Sequence, residues 1–399
     1  MKKYIFFFFV LIFLVLIFFV LNRWRQKKLI IDGFDLTPYT EEKWVREIKS
    51  AFKDAKENKD ELKKIVTEVE PEYRKQALFL IAFMPYPDLI QVNSSVILDN
   101  IRYANLAKKT FPWAKDLPED IFLNYVLPYR NSQEPIENFR PYFFEKLYPV
   151  VKDLKDAYDA SIAVNRWIAE RVKYKPTQRE DQGPFETLKG GYGRCEELVI
   201  LYNDALRSIG IPSRKVWTPF WSIRDDNHAW TELYIEDQKI DGRWWYTGAA
   251  EPKDSLNSAW FDQVVKKASF VFSKPYGEPG AQEVIYYNKR GELYVNSTSF
   301  YTETNEFEIE VVSGKRRIKD IFVFFSVFNY GALRRIASVK TGKKGKATLV
   351  IGKGTYFIST GDSKEYTWKV VTIGDDQKQK VLLDLKEKPK EKESFWLRY

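Results

Sequence analysis

The chain has 399 residues, which is enough for two or three domains. Hydrophobic residues make up 44% and charged residues 30%, a balance typical of globular rather than disordered proteins. The net charge of +9 comes from basic residues interspersed with acids, so nucleic-acid binding is not expected. A single cysteine and a single histidine exclude an intrachain disulfide and the usual zinc-hydrolase ligand sets, and no metal or cofactor is predicted.

The N-terminus predicts a membrane anchor. An unbroken apolar run over residues 5–21 follows Lys2 and Lys3 and precedes four more basic residues. The run is at the short limit for a membrane-spanning helix and is long for the apolar part of a signal peptide. No small-residue cleavage site follows it. We therefore expect residues 1–28 to be an uncleaved signal anchor, with the body of the chain outside the cytoplasm at the cell membrane.

Residues 29–155 are predicted to be helical. Thr40 stands before two acids, a pattern typical of a helix N-cap. Trp44, Ile48 and Phe52 then recur at helical spacing, and the interpretation that we prefer for such aromatic stripes is core packing.

Residues 156–280 form the next predicted unit. The stretch 158–174 has a further amphipathic pattern, and a glycine-rich turn over 190–193 leads into a helix that starts near Cys195. That helix is expected to stop at Gly210, because glycine followed by proline is the usual helix stop. Three short β-like runs follow, at 214–217, 229–235 and 244–247.

The C-terminal part, residues 281–385, is predicted to be all β. Apolar and polar residues alternate, as in Phe307, Ile309 and Val311, and glycine-rich turns separate the runs. About seven strands in roughly a hundred residues favour an immunoglobulin-like β-sandwich. The charged tail, residues 386–399, is expected to be flexible.

Cys195 lies in the run Gly193-Arg194-Cys195-Glu196-Glu197, at the predicted start of a helix. Backbone N–H groups and the helix dipole lower the pKa of a thiol at such a position, and only the thiolate is a strong nucleophile. The N–H of Cys195 itself is placed to stabilise an oxyanion. Cys195 is therefore the candidate nucleophile.

His228 is the candidate base, because an activated thiol needs a proton acceptor. It stands in Asp226-Asn227-His228-Ala229-Trp230, where a strand is predicted to begin. An imidazole at a strand start can face a helix N-terminus if the strand and the helix pack together.

Three segments resemble the transglutaminase-like superfamily. They are residues 193–197, the Gly-Ile-Pro-Ser-Arg segment at 210–214 and the Asn-His-Ala-Trp-Thr-Glu segment at 227–232. The resemblance implies a papain-like cysteine fold with a Cys–His–Asp triad over about residues 160–275. Residues 122–130 and 248–252 are similar to an exported bacterial branch that carries a C-terminal β-sandwich.

The third member of the triad departs from the family pattern. The resemblance implies an aspartate four residues after Trp244, where this chain has Gly248. An acid is needed to hold the imidazole tautomer, so its loss would weaken catalysis. Glu251 is the candidate replacement and Asp241 a weaker one, and either can also be purely structural.

The neighbouring motif residues have mainly structural interpretations. Glu196 and Glu197 are expected to be first-turn acids, and Arg194 a partner for one of them or for a substrate carboxylate. Gln182 is a candidate oxyanion donor, as in papain-like sites. Trp230 and Glu232 are expected to support the histidine strand. Four tryptophans are candidates for the walls of a substrate cleft, although core packing is the default interpretation: Trp217, Trp221, Trp244 and Trp245.

Three functions remain open from the sequence. The first is a membrane-anchored thiol enzyme acting on amide bonds of peptides or proteins, such as those of the cell envelope. For this enzyme, the resemblance favours hydrolysis over cross-linking. The second is a catalytically weak or inactive scaffold, suggested by Gly248. The third is glycan binding by the sandwich through Tyr286, Tyr287 and Tyr330, beside a thiol domain that acts on attached peptides.

Overall fold

The computed structural model describes residues 28–177, 180–237, 240–281, 283–375 and 378–387. The predicted anchor, except for Lys28, and the tail from residue 388 lie outside the described residues. Within the described ranges, no helix is both long and apolar enough to cross a membrane. The described chain is mixed α+β, with a helical N-terminal region followed by β-sheets.

The N-terminal region is helical where apolar side chains recur at helical spacing, and Trp44, Ile48 and Phe52 are buried as predicted. The prediction that Thr40 caps the first helix is wrong. Its hydroxyl donates to the Glu41 carbonyl, and a 3₁₀ turn comes before the helix. The elements are β1 (Ile30–Ile31), β2 (Phe34–Asp35), α1 (Val45–Asp54), α2 (Lys59–Glu68), α3 (Arg74–Phe83), α4 (Tyr86–Leu89), α5 (Ser94–Thr110), α6 (Glu119–Ile121), α7 (Phe139–Val151) and α8 (Ala157–Ala169).

A long buried helix follows, α10 (Cys195–Ser208), with every residue from Glu197 to Ser208 buried. Before it, β3 (Lys173–Tyr174) and β4 (Tyr192–Gly193) pair in parallel and enclose α9 (Pro184–Gly190). The chain leaves α10 at Gly210, as predicted. The φ angle of Gly210 is 77°, and a Cβ there would lie 2.7 Å from Ala114, so glycine is required.

Six antiparallel strands form a sheet in the order β7-β6-β5-β8-β10-β9. One face packs on α10 through residues such as Ala229 and Leu233, whereas Val216 and Trp230 lie in a second cluster on the other face with Phe261. The bounds are β5 (Ser213–Thr218), β6 (His228–Asp237), β7 (Ile240–Thr247), β8 (Phe272–Ser273), β9 (Ile285–Lys289) and β10 (Glu292–Asn296), with short helices α11 (Asp262–Val265) and α12 (Thr298–Tyr301).

The C-terminal part is a two-layer sandwich. One layer has the order β12-β11-β15 with β18 parallel to β11, and the other has the order β14-β13-β16-β17. Phe307 and Ile309 of the first layer share a core with Val323 and Phe325 of the second. The strands are β11 (Thr304–Ser313), β12 (Arg316–Arg317), β13 (Phe322–Asn329), β14 (Ala332–Lys340), β15 (Lys346–Gly352), β16 (Gly354–Gly361), β17 (Tyr366–Ile373) and β18 (Lys378–Asp384).

A cleft of about 1460 Å³ opens between the outer face of the sandwich and α12. Its walls include Phe300, Leu333 and Lys353, and Cys195 is not among the lining residues. The cleft is therefore separate from the thiol.

Candidate active site

Cys195 is the first residue of α10, directly after the turn that ends β4. Two glycines before it have different roles. Gly191 adopts a φ of 70°, which lets the chain turn sharply, whereas a side chain on Gly193 would lie 3.0 Å from the Cβ of Glu197. The turn and the close approach together place the sulfur at the exposed end of an otherwise buried helix.

Glu197 stabilises the start of α10 through hydrogen bonds to its carboxylate. Its side chain is fully buried, and Oε2 accepts a hydrogen bond from the Arg194 N–H at 2.8 Å. Oε1 accepts from the Thr177 hydroxyl at 3.0 Å and from the Gln182 N–H at 3.4 Å. This acid therefore ties the segment before α9 to α10, in keeping with the structural interpretation of the sequence.

Two ion pairs flank the thiol. Arg194 pairs with the buried Asp181, and Lys215 pairs with Glu196. Burial raises the pKa of Asp181, and the nearby Glu196 raises it further. Nε of Arg194 also lies 3.6 Å from Oε1 of Glu197, which is the predicted pairing with one of the two first-turn acids, whereas the pair with Asp181 was not predicted.

Gln182 is buried beside α9. Its Oε1 accepts a hydrogen bond from the Thr187 hydroxyl at 3.3 Å, which fixes the plane of the carboxamide. A role for its nitrogen as an oxyanion donor stays a prediction.

The Cys195 thiol is partly exposed, and the backbone N–H groups of Ala229 and Glu196 interact with it. Burial raises the pKa of the thiol to about 11; the Ala229 N–H lowers it and the Glu196 carboxylate raises it. The sequence-based expectation of a lowered pKa is therefore wrong for this structure, because desolvation outweighs the helix N-terminus.

His228 is the first residue of β6 and is only 8% exposed. Its ring lies 4.9 Å from the ring centroids of both Trp260 and Phe261, and 5.9 Å from that of Trp230. Burial lowers the pKa of His228 to about 3, and the positive charge of Arg224 lowers it as well. The imidazole is therefore neutral at ordinary pH.

The fold brings the two candidates to adjacent positions, because the backbone N–H of Ala229, the residue after His228, interacts with the Cys195 sulfur. The side chains are less closely associated. Nε2 of His228 is buried without a hydrogen-bond partner, and no hydrogen bond among the described residues joins the imidazole to the thiol. Ala229 faces the α10 side of the sheet, and Trp230 faces the opposite side.

Glu251 lies beside Gly248, and one tryptophan, Trp260, interacts with both its carboxylate and the imidazole of His228. A Cβ at position 248 would overlap the Oε2 of Glu251, so the carboxylate occupies the space of the missing side chain. Burial raises the pKa of Glu251, and a hydrogen bond from Trp260 lowers it. Trp260 also contacts His228 edge-on. The side chain of Asp241, the weaker candidate, lies outside the described residues.

A buried polar chain supports the histidine strand. The Trp230 indole N–H donates to the Tyr301 hydroxyl at 2.8 Å, and that hydroxyl donates to Glu232. Arg214 donates to the same carboxylate at 2.6 Å and also pairs with Glu283. These contacts agree with the expected supporting role of Trp230 and Glu232.

The four tryptophans proposed as cleft walls pack against other side chains instead. Trp217 stacks on Phe272, the fully buried Trp221 stacks on Trp230, and the Arg214 guanidinium lies 3.8 Å from the Trp244 ring centroid. Trp245 meets Tyr158 edge-on. Core packing, the default interpretation, describes them better.

Sequence reasoning did not assign two exposed tyrosines to the surroundings of the thiol. Tyr174, at the end of β3, is 58% exposed, and Tyr330, in the β13–β14 turn, is 52% exposed. Burial raises the pKa of Tyr174, and so do the nearby Cys195, Asp226 and Tyr330. No local pattern marks Tyr174. Tyr330 was proposed as a glycan-binding candidate together with Tyr286, which packs on Phe270 and Phe272 instead.

Among the residues that the structure describes, no group of three or more histidine, cysteine or acidic side chains could hold a metal ion.

Residues 147–249 match the model of the family described as the transglutaminase-like superfamily. No curated protein matches the chain. Among solved structures, a Cytophaga hutchinsonii protein provisionally named a cysteine protease is 14% identical, with a TM-score of 0.30, over 67% of this chain and 62% of that one. Red sea bream transglutaminase is 11% identical, with a TM-score of 0.29, over 66% of each chain. LapG of Legionella pneumophila is 14% identical, with a TM-score of 0.26, over 50% of this chain and 91% of LapG. This chain therefore spans slightly less than two thirds of the first two proteins.

Proposed function

Because residues 147–249 belong to the transglutaminase-like superfamily, we propose that this chain is a thiol enzyme acting on amide bonds of peptides or proteins. One observation carries the proposal: Cys195 begins a buried helix, and its sulfur interacts with the N–H of the residue that follows His228. A nucleophile at a helix N-terminus has backbone donors beside it for the oxyanion that its attack creates.

The proposed reaction begins when the Cys195 sulfur attacks the amide carbonyl carbon while the thiol proton passes to His228. The backbone N–H of Cys195 donates to the oxyanion. The C–N bond then breaks, the imidazolium returns its proton to the leaving amine, and a thioester remains. Water attacks the thioester, losing a proton to His228, and restores the free thiol. An amine in place of water would give cross-linking; the resemblance favours water.

Protonation of the resting site shapes this mechanism. With the pKa of the thiol raised and that of the imidazole lowered, both groups start neutral, so proton transfer accompanies the attack instead of preceding it. Transfer also requires an imidazole nitrogen within hydrogen-bond distance of Sγ, which substrate binding has to bring about.

Glu251 is proposed as the group that orients His228. Two observations support this role: the carboxylate fills the space beside Gly248, and Trp260 contacts both Glu251 and His228. Glu251 would act through the tryptophan, which makes it a positioning residue.

A non-catalytic scaffold is the second candidate. The specific observation in its favour is the neutral, largely desolvated thiol, which has no hydrogen bond to the imidazole among the described residues. A buried neutral thiol is a small apolar side chain rather than a nucleophile.

The test uses the purified full-length chain and a mixture of proteome-derived peptides, with products identified by mass spectrometry. We expect peptides cleaved with uptake of one water, and no such products from Cys195→Ser or His228→Gln. Joined peptides that have lost ammonia would indicate acyl transfer instead. Unchanged peptides with the wild-type chain would favour the scaffold.

Membrane anchoring by residues 1–28 is also part of the proposal, with the body outside the cytoplasm and cell-envelope peptides as substrates. The apolar run over residues 5–21 supports it. Extraction of cell membranes with alkaline carbonate should leave the wild-type chain in the pellet and release a chain that lacks residues 1–28. Release of both would contradict anchoring.

A further inference from the structure

The turn between β13 and β14 has an unusual residue at its tip. Tyr330 and Gly331 join the strands with φ angles of 49° and 69°, the pattern of a two-residue hairpin turn with both central residues left-handed. Asparagine or glycine is the usual first residue of such a turn, and a bulky side chain rarely adopts that conformation. Tyr330 is therefore held at the tip against its backbone preference.

Asn329, just before the tip, joins the sandwich to the loop that leads to His228. Its side chain is fully buried, and its amide nitrogen donates to the backbone carbonyls of Trp221, Arg224 and Asp226, at 2.8, 2.8 and 3.1 Å. The N–H of Tyr330 adds a hydrogen bond to the Asp225 carboxylate at 2.9 Å. Four contacts from one turn thus hold the 221–226 segment.

The same segment is folded so that its carbonyls converge on that amide. The N–H of Trp221 donates to the Asp226 carbonyl at 3.0 Å, and the N–H of Asp226 donates to the Arg224 carbonyl at 2.9 Å. The Asp226 carboxylate accepts from the Asn227 N–H at 2.9 Å, one residue before His228. The position of His228 at the start of β6 therefore depends on a turn more than one hundred residues later in the chain.

Tyr330 itself is coupled electrostatically to the surroundings of the thiol. Its hydroxyl interacts with the Asp226 carboxylate and is within electrostatic reach of Tyr174, which is in turn within electrostatic reach of Cys195 and Glu251. Both tyrosines are more than half exposed. Tyr174 ends β3 and Tyr330 lies in the sandwich, so two distant parts of the chain supply these tyrosines.

We propose that the β13–β14 turn is a working part of the thiol site: Asn329 positions the loop before His228, and Tyr330 forms, with Tyr174, the rim over which a peptide reaches Cys195. The role of the rim rests on the proposed function. If both roles hold, the sandwich is a component of the thiol site and not a separate binding module.

The test uses the full-length chain and two readouts that need no turnover. Hydrogen–deuterium exchange of residues 219–228 reports whether the loop is held, and the ring signal of the single histidine, labelled with ¹³C, reports the surroundings of His228. Asn329→Asp keeps the shape of the side chain and replaces the donor by an acceptor. Its matched control is Asn305→Asp, since Asn305 is a buried asparagine that donates to the Gly374 carbonyl within the sandwich.

We expect Asn329→Asp to speed exchange in the loop by about tenfold or more, the effect of losing one or two net hydrogen bonds, and to move the His228 signal. Asn305→Asp should change neither. Asp225→Ala, which removes only the contact to Tyr330 on the exposed side, provides a milder variant with changes in the same direction if Asn329→Asp does not fold.

Unchanged loop exchange and an unchanged His228 signal in the Asn329 and Asp225 variants would overturn the proposal. Equal changes in the Asn305 control would do so too, because they would indicate general loosening of the sandwich. If the peptide assay finds no turnover while these readouts move as expected, the proposed reaction fails and the positioning role of Asn329 stands. With turnover present, Tyr330→Gly should raise KM for the cleaved peptide without lowering kcat; an unchanged KM would remove Tyr330 from the rim.

Discussion

Alkylation of Cys195 tests how burial sets the chemistry of the thiol. Burial raises its pKa to about 11, whereas an unperturbed cysteine has a pKa of about 8.5. At pH 7 the folded chain should therefore hold about 300-fold less thiolate than an unperturbed thiol. The more basic thiolate is also the better nucleophile, and a Brønsted coefficient of about 0.4–0.5 recovers about 10- to 18-fold. The net expectation is alkylation about 20- to 30-fold slower at pH 7.

The assay measures the rate constant for iodoacetamide from about pH 6 to about pH 10, with the modified chain detected by mass spectrometry. Because Cys195 is the only cysteine, the same chain unfolded in urea is a matched reference. The folded rate should rise about tenfold per pH unit beyond pH 9, whereas the unfolded rate should level off near pH 8.5. A folded rate that levels off below about pH 8, or that exceeds the unfolded rate at pH 7, would refute this reasoning.

A variant isolates the electrostatic part of the effect. Glu196 raises the pKa of the thiol and pairs with Lys215. Glu196→Gln removes the negative charge and leaves the ammonium of Lys215 without that partner, so alkylation at pH 7 should become faster by several-fold. Glu145→Gln, on the exposed face of α7, removes the same charge elsewhere and should leave the rate unchanged. Equal rates in wild type and Glu196→Gln would show that the Glu196 carboxylate does not contribute to the pKa of the thiol.

Three further predictions concern other groups. Burial lowers the pKa of His228 to about 3, so its ¹³C signal should stay constant between about pH 8 and pH 5. A titration midpoint near 6.5 would contradict this. Because the unfolded chain binds the proton more readily, His228 destabilises the fold as pH falls below about 6.5. Gly248→Asp should displace the Glu251 carboxylate, and because that carboxylate ends a flexible side chain, the free energy of unfolding should fall by only about 1 kcal/mol. Glu251→Ala in the same chain should restore part of the loss, and an additive loss in urea denaturation would argue against a shared space. Hydrogen bonds from Lys64 and Ser94 lower the pKa of Glu61 to about 2. The contribution of Glu61 to the free energy of unfolding is therefore complete above its ordinary pKa of about 4.3 and is lost as pH falls towards 2. Glu61→Gln should cost about 1 kcal/mol at pH 7 after solvent screening, and about half as much at pH 3; an equal cost at both pH values would exclude a charge effect.

Local patterns in the sequence predicted the secondary structure around the thiol. The glycine-rich turn, the helix start at Cys195 and the stop at Gly210 are all present, because each depends on backbone conformation within a few residues. The strand start at His228 also agrees with the alternation of the sequence. The expected cap at Thr40 failed for the complementary reason: several nearby residues could begin that helix, and packing of Trp44 decided among them.

Long-range contacts decided the properties of the site. The helix start at Cys195 is visible in the sequence, but the pKa of the thiol depends on how completely the surrounding chain excludes water. Trp260, which contacts both Glu251 and His228, and Asn329, which donates to the loop before His228, lie outside the motifs of Cys195 and His228.

The single cysteine, the single histidine and their motifs were thus determined by the sequence alone, because residue identity and short-range spacing are local properties. Tertiary structure decided that both groups are desolvated and neutral, that the Glu251 carboxylate fills the space beside Gly248, and that Asn329 of the sandwich holds the loop before His228. The physical reason is that desolvation and contact are set by everything packed around a group, and most of what surrounds this thiol and imidazole lies far away along the chain.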